Sequence, residues 1–142
     1  MGKEEFWKVD YTYVLYSSYL CEKFNIPHFS LVSSKSAAAN SMFYYFEVKG
    51  KIEDALKILQ IEKKIESLSI FQPGVITDRD NDKRCGESLI CCFPCISKIK
   101  SADLGRGIVN ESERLHKDYI IYGKQSITYD NNELLNLSVL NI

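Results

Sequence analysis

The chain has 142 residues, of which 45% are hydrophobic and 26% charged, and its formal net charge is −1. That length suits one domain with a substantial core. The near-neutral balance gives no electrostatic reason to expect nucleic acid or an anionic membrane as partner. The longest apolar runs, such as Leu89-Ile90-Cys91-Cys92-Phe93, are too short to span a bilayer.

Met1-Gly2-Lys3-Glu4-Glu5-Phe6 lacks the apolar centre of a secretion signal and the hydroxyl residue a myristoylation site carries at position 6. The expected location is the cytoplasm, with the nucleus as a second compartment. Residues 1–8 read as a polar, irregular lead-in. Asp10 is then placed to cap a helix from Tyr11 to Lys23, with Tyr11, Val14, Leu15, Ser18 and Cys21 near one face. Asn25-Ile26-Pro27 stops it. His28 to Ser33 reads as a short strand, and its weak alternation suits a strand covered by helices on both faces. Ser33 to Asn40 is a loop of small polar residues. At the carboxyl end of a strand, an open α/β sheet places its ligand site.

Ser41 opens the predicted central helix. Val48, Ile52, Ala55, Leu56 and Leu59 give its apolar face a 3.6-residue period. Gly50 inside this helix costs about 1 kcal/mol against Ala and so signals close packing. Lys63-Lys64 suits a helix C-terminus. Residues 68–76 read as the next buried strand, turning at Pro73-Gly74. Asp78 to Arg84 holds six charges in seven residues, a solvated loop. Glu87 to Phe93 reads as a short helix, Tyr119 to Tyr122 as a strand, and Asn131 to Ile142 as a marginal helix. Helix, strand, helix, strand in this order predicts an α/β sandwich with parallel strands.

Two groups of residues carry chemistry. In a helix, Tyr45 and Lys49 leave the same face about one turn apart. A cation so close favours the phenolate, which suits Tyr45 to act as a general acid/base. The bland alternative is an amphipathic helix with a snorkelling lysine. Tyr19 and Lys23 share the spacing but lack the flanking strands and the preceding Ser33-Ser34. The second group is Cys85, Cys91, Cys92 and Cys95, with a C-x-x-C step at Cys92–Cys95. No second such step and no histidine pair completes a zinc shell, so buried apolar filling competes with a metal or redox role.

Val9-Asp10-Tyr11-Thr12-Tyr13-Val14-Leu15, His28 through Lys35, Tyr45-Phe46-Glu47-Val48-Lys49-Gly50 and Phe71-Gln72-Pro73-Gly74-Val75 together resemble the second half of a short-chain dehydrogenase/reductase. They look most like its atypical, Tat-interactive branch. The resemblance covers roughly residues 2–107, is specific through residue 75, and leaves residues 115–142 as a poorly matched tail of one domain.

The family implies a Rossmann fold binding NADP(H) and a small carbonyl substrate. By resemblance, Tyr45 is the acid/base. Lys49 tunes it and bonds the nicotinamide ribose. Ser34, with Ser33 as the alternative, orients the carbonyl, and Pro73 and Gly74 lie beside the nicotinamide. The family's roles in transcription, nuclear import and cell-death control imply a regulatory protein as the alternative function.

The chain departs from the family in one respect. Its seven glycines form no G-x-G-x-x-G loop, and Gly105-Arg106-Gly107 follows no clear strand. The expected fold is therefore a partial Rossmann-like α/β sandwich, the C-terminal half without the N-terminal nucleotide-binding half. Its expected cofactor binding is weak or absent. The strand at 28–33 would keep an open edge, covered by the tail or by a partner protein.

Overall fold

A computed structural model of the protein describes residues 2–78, 97–122 and 126–139. Helix starts at Lys3, well before the expected position. α1 (Lys3–Trp7), a π-helical segment (Lys8–Tyr13) and α2 (Val14–Phe24) follow one another without a break. The polar lead-in is helical because its aromatic residues have partners. Phe6 packs against Tyr44 and Tyr45, and Trp7 stacks on Tyr11 at 4.5 Å. Asp10 lies inside this run and does not cap it. The expected inner face is correct, with Ser18 and Cys21 buried and Tyr11, Val14 and Leu15 packed on the core. Asn25 closes α2 in the left-handed region, φ 53°, while the Ile26 N–H donates to the Cys21 carbonyl at 2.9 Å.

β1 (His28–Val32), α3 (Tyr44–Ile61) and β2 (Ser67–Phe71) form a crossover unit. β1 and β2 pair in parallel, as expected, with His28 opposite Ser67 and Val32 opposite Phe71. On one face of the sheet, Leu31, Leu68 and Ile70 meet Ile52, Leu56 and Leu59 of α3. Alternation sends Phe71 to the other face. There it joins Tyr129, Ile99, Leu104, Leu134 and Leu137.

Residues 68–76 are not one strand. β2 ends at Phe71, and β3 (Val75–Thr77) pairs in parallel with β4 (Lys98–Lys100) in a second, two-stranded sheet. Pro73 has no N–H for a ladder. A Cβ at Gly74 would lie 2.0 Å from the Ser97 carbonyl oxygen. The pair therefore ends one ladder and brings the backbone close to the other sheet.

Tyr119 to Tyr122 is not a strand either. It falls in α4 (Ser101–Tyr122), whose inner face repeats at Leu104, Ile108 and Glu111. β5 (Ser126–Tyr129) then adds in parallel to β2, giving the order β1-β2-β5. The marginal helix is α5 (Asn131–Ser138), with a full capping box. The Asp130 carboxylate accepts from the Asn132 and Glu133 N–H groups at 2.8 and 2.9 Å, and Glu133 accepts from the Asp130 N–H at 2.7 Å.

The tail thus joins the far side of β2 and leaves the β1 edge unpaired among the described residues. All five residues of β2 are buried, but Ser30 and Val32 of β1 are exposed. Cover on both faces holds for β2 and not for β1.

On that open side, His28 bridges two hydroxyls, with Nδ1 3.0 Å from Ser67 Oγ and Nε2 2.9 Å from Ser30 Oγ. Burial lowers its pKa, opposed by the Glu111 charge and a bond at Ser67. A histidine held lower in the folded state contributes stability that is full above its unfolded pKa and lost as pH falls toward the folded one. The urea midpoint is therefore expected to drop between about pH 7 and about pH 5, and His28→Asn should flatten part of that drop.

The charged loop beyond Asp78, the helix expected at 87–93 and the cysteines at 85, 91, 92 and 95 lie outside the described residues. Among the described residues, no cluster of side chains is suited to a metal ion, and no helix is long and apolar enough to cross a membrane.

Candidate functional site

α3 starts at Tyr44, after an extended Phe43, slightly later than the expected Ser41. Ser41 still holds the entry, its Oγ accepting from the Phe43 N–H at 3.2 Å. Tyr45 and Lys49 both lie within α3, one turn apart as expected. The Tyr45 ring packs against Phe6 and, edge-on, against Phe46 at 5.2 Å. The residue is 43% exposed, and its hydroxyl makes no hydrogen bond to a described residue. Tyr44, by contrast, donates to the Lys3 carbonyl at 2.9 Å.

Lys49 points inward. Its Nζ lies 2.6 Å from Asp10 Oδ1, and the two side chains are only 13% and 19% exposed. Asp10 sits in the π-helical segment, a local widening that recurs at functional sites. The neighbouring Lys51 is engaged differently, with Glu47 at 2.6 Å and the Trp7 ring at 5.5 Å. Tyr19 and Lys23, the second pair with this spacing, sit on α2. There Lys23 lies over Phe24, and Tyr19 faces solvent.

The two serines have separate fates. The Ser33 N–H donates to the Phe71 carbonyl at 2.7 Å, and the Lys35 N–H to the Pro73 carbonyl at 2.9 Å. The loop after β1 therefore runs beside the loop after β2, bringing Ser33–Lys35 alongside Phe71–Pro73. Ser33 is buried and donates its hydroxyl to the Glu53 carboxylate. Glu53, 3% exposed, also accepts from Gln72 Nε2 at 3.0 Å on each oxygen. Ser34 Oγ reaches only the Lys35 carbonyl, at 3.3 Å. Of the pair, Ser34 has the hydroxyl that a ligand can engage.

The loop then returns to α3. The Ala38 N–H donates to the Phe46 carbonyl at 3.1 Å, and a Cβ on Gly50 would lie 2.2 Å from the Ala38 carbonyl carbon. The close packing expected at Gly50 is this contact. It docks the loop onto the helical turn between Tyr45 and Lys49.

Pro73 and Gly74 lie at the end of β2, but the Gly74 N–H is already given to Asn131 Oδ1 at 2.9 Å. The described glycines supply no phosphate cradle. Gly50 faces Ala38, Gly74 faces Ser97, Gly107 faces Leu134, and Gly2 and Gly105 face open space.

Sequence reasoning missed two carboxylates. Asp10 looked like a cap, and its pairing with Lys49 depends on a π turn that no local pattern announces. Glu53 carried a usable signal, because Tyr45, Lys49 and Glu53 repeat at four-residue steps along one ridge.

No family model matches the chain. The chain is 39% identical over 88 residues to Protein HTATIP2 of Rattus norvegicus, covering 62% of this chain and 35% of that protein. It is 31% identical over 122 residues to the mitochondrial Protein FMP52 of Lodderomyces elongisporus, covering 78% of this chain and 50% of that one. A second mitochondrial FMP52, from Meyerozyma guilliermondii, is 35% identical over 75 residues, 53% of this chain and 31% of that protein. The match thus takes in no more than half the length of these relatives.

Proposed function

We propose, from the chain's kinship with the atypical short-chain dehydrogenases/reductases, that it carries the catalytic portion of an NADP(H)-dependent oxidoreductase for small carbonyl compounds. In this reading its own grip on the cofactor is weak. The bound dinucleotide would supply the hydride. Tyr45 would give its phenolic proton to the carbonyl oxygen, and Ser34 Oγ–H would donate to the same oxygen to orient it. Lys49 and the Pro73-Gly74 turn would hold the nicotinamide end.

The observation that supports this reading most is the parallel β1–β2 register, with α3 docked on the loop between them. It puts Ser34 and Pro73 at adjacent strand ends, beside the helix bearing Tyr45 and Lys49.

The experiment is a calorimetric titration with NADPH, followed by turnover with a panel of ketones and quinones. The expected affinity is weaker than micromolar, and any turnover should fall by about 10²-fold or more in Tyr45→Phe. Micromolar binding would remove the weak-cofactor part of the reading. Turnover that survives the substitution would remove Tyr45 from its role.

A regulatory protein acting through protein contacts is the second reading, favoured by one feature. The open β1 edge lies on a chain whose helical face also exposes Tyr13, Tyr16, Leu20 and Phe24. A partner protein seated there would cover unpaired backbone groups. The proposed location is the cytoplasm and nucleus, with mitochondria, from the FMP52 names, as the competing compartment.

A further inference from the structure

Lys49 is the cation that the proposed chemistry depends on, and in the folded chain its partner is Asp10 at 2.6 Å. The other carboxylates along α3 are engaged elsewhere. Glu47 holds Lys51 at 2.6 Å, and Glu53 is held by Ser33 and Gln72, with Lys57 at 3.6 Å. Stability alone gives little reason for a largely enclosed ion pair, since two apolar side chains of similar size usually do as well. The pair's position is more informative. Lys49 lies one helical turn from Tyr45, and Asp10 reaches it from a π-helical turn of the neighbouring helix.

We infer that Asp10 is a positioning residue of this site. Its carboxylate holds the Lys49 ammonium and limits how much of that positive charge supports ionisation of the Tyr45 phenol. This rests on the reading of Tyr45 and Lys49 given above. The physical basis is geometric. An opposite charge in contact largely cancels the ammonium's field one turn away, so neutralising Asp10 returns that field to Tyr45.

The test needs no cofactor. Tetranitromethane nitrates tyrosine through the phenolate, and fragment mass spectrometry resolves Tyr45 from Tyr44, whose hydroxyl is bonded to the Lys3 carbonyl and serves as internal reference. In the intact chain at mildly alkaline pH, Asp10→Asn should speed Tyr45 nitration about threefold or more relative to Tyr44. In a Lys49→Met background, the same substitution should change the rate by less than about 1.5-fold, because the effect passes through Lys49.

An unchanged Tyr45 rate in Asp10→Asn overturns the inference. So does an equal rise at both tyrosines, which would mean only a loosened helix, or a rise that persists without Lys49. Asp10→Ser is read in the same way if the Asn variant does not fold. Turnover in Tyr45→Phe tests the underlying reading separately, so the two can fail independently.

Discussion

Gly50→Ala destabilises the protein by about 3 kcal/mol, even though the same change in an ordinary helix stabilises it by about 1 kcal/mol. The sign reverses because of the neighbour. The new methyl would lie 2.2 Å from the Ala38 carbonyl carbon and 2.3 Å from the Ala39 nitrogen, both backbone atoms that no rotamer change can move aside. Relief requires the loop after Ser34 to lift off α3. Gly105→Ala in α4 is the matched control. Nothing lies within 4 Å of its added methyl, so helix propensity alone acts, and a gain of about 1 kcal/mol is expected. Urea unfolding of both variants measures the difference. If the two moved together, Gly50 would have no part in docking the loop.

Glu111→Ala is expected to cost about 3 kcal/mol or more, on the opposite face of the sheet. Glu111 is fully buried. It accepts two bonds from Arg114, Nε at 2.8 Å and an Nη at 2.9 Å, and a further bond from the Tyr129 hydroxyl. Those bonds show in the partners' acidities. Bonding to Glu111 pushes Arg114 up, and burial, reinforced by Glu111, pushes the Tyr129 phenol up. Deleting the carboxylate strips the buried Tyr129 phenol and the part-exposed Arg114 guanidinium of their shared acceptor, the costly way to break such a network. Tyr129→Phe removes one donor but leaves the Glu111–Arg114 fork, so a loss of about 1 kcal/mol is expected. It also keeps the ring stacked on Phe71, now 5.4 Å away. Near-equal losses in the two variants would show that the phenol, not the carboxylate, organises the cluster. Thermal or urea unfolding gives both values.

How far the sequence revealed this molecule varies along the chain. The central unit was legible because its signals were local and redundant. Val48, Ile52, Leu56 and Leu59 keep a strict helical period, β2 carries Leu68, Ile70 and Phe71, and all of these are buried in the structure. Gly50 was a correct pointer because a glycine in a strong helix has a cost that only a close neighbour explains. The tail was harder to read. Tyr119 to Tyr122 has the residue types of a strand, but α4 continues through it once Leu104, Ile108 and Glu111 have set its face against α5 and the sheet. Aromatic contacts to α3 hold the N-terminal residues in a helix, a tertiary effect that composition cannot show.

The candidate site shows the same division. The shared ridge of Tyr45 and Lys49 was legible from their spacing. That Ser33 is tied to Glu53, while Ser34 reaches only the Lys35 carbonyl, was not. Asp10 stayed hidden because its role is defined by what it touches across space, and a single sequence reports only what lies along it. Glu53 was findable, since it repeats at four-residue steps with Tyr45 and Lys49.

The sheet also bears on how the molecule is made. Every ladder in it is parallel, and the first already joins positions 39 residues apart, His28 with Ser67. No hairpin joins the described strands, so the search that pairs them must close long loops before any of them is rewarded. During synthesis β1 leaves the ribosome well ahead of its mate, and β2 waits in turn for β5. Slow refolding is therefore the expected consequence of the topology itself, whatever chemistry the finished molecule performs.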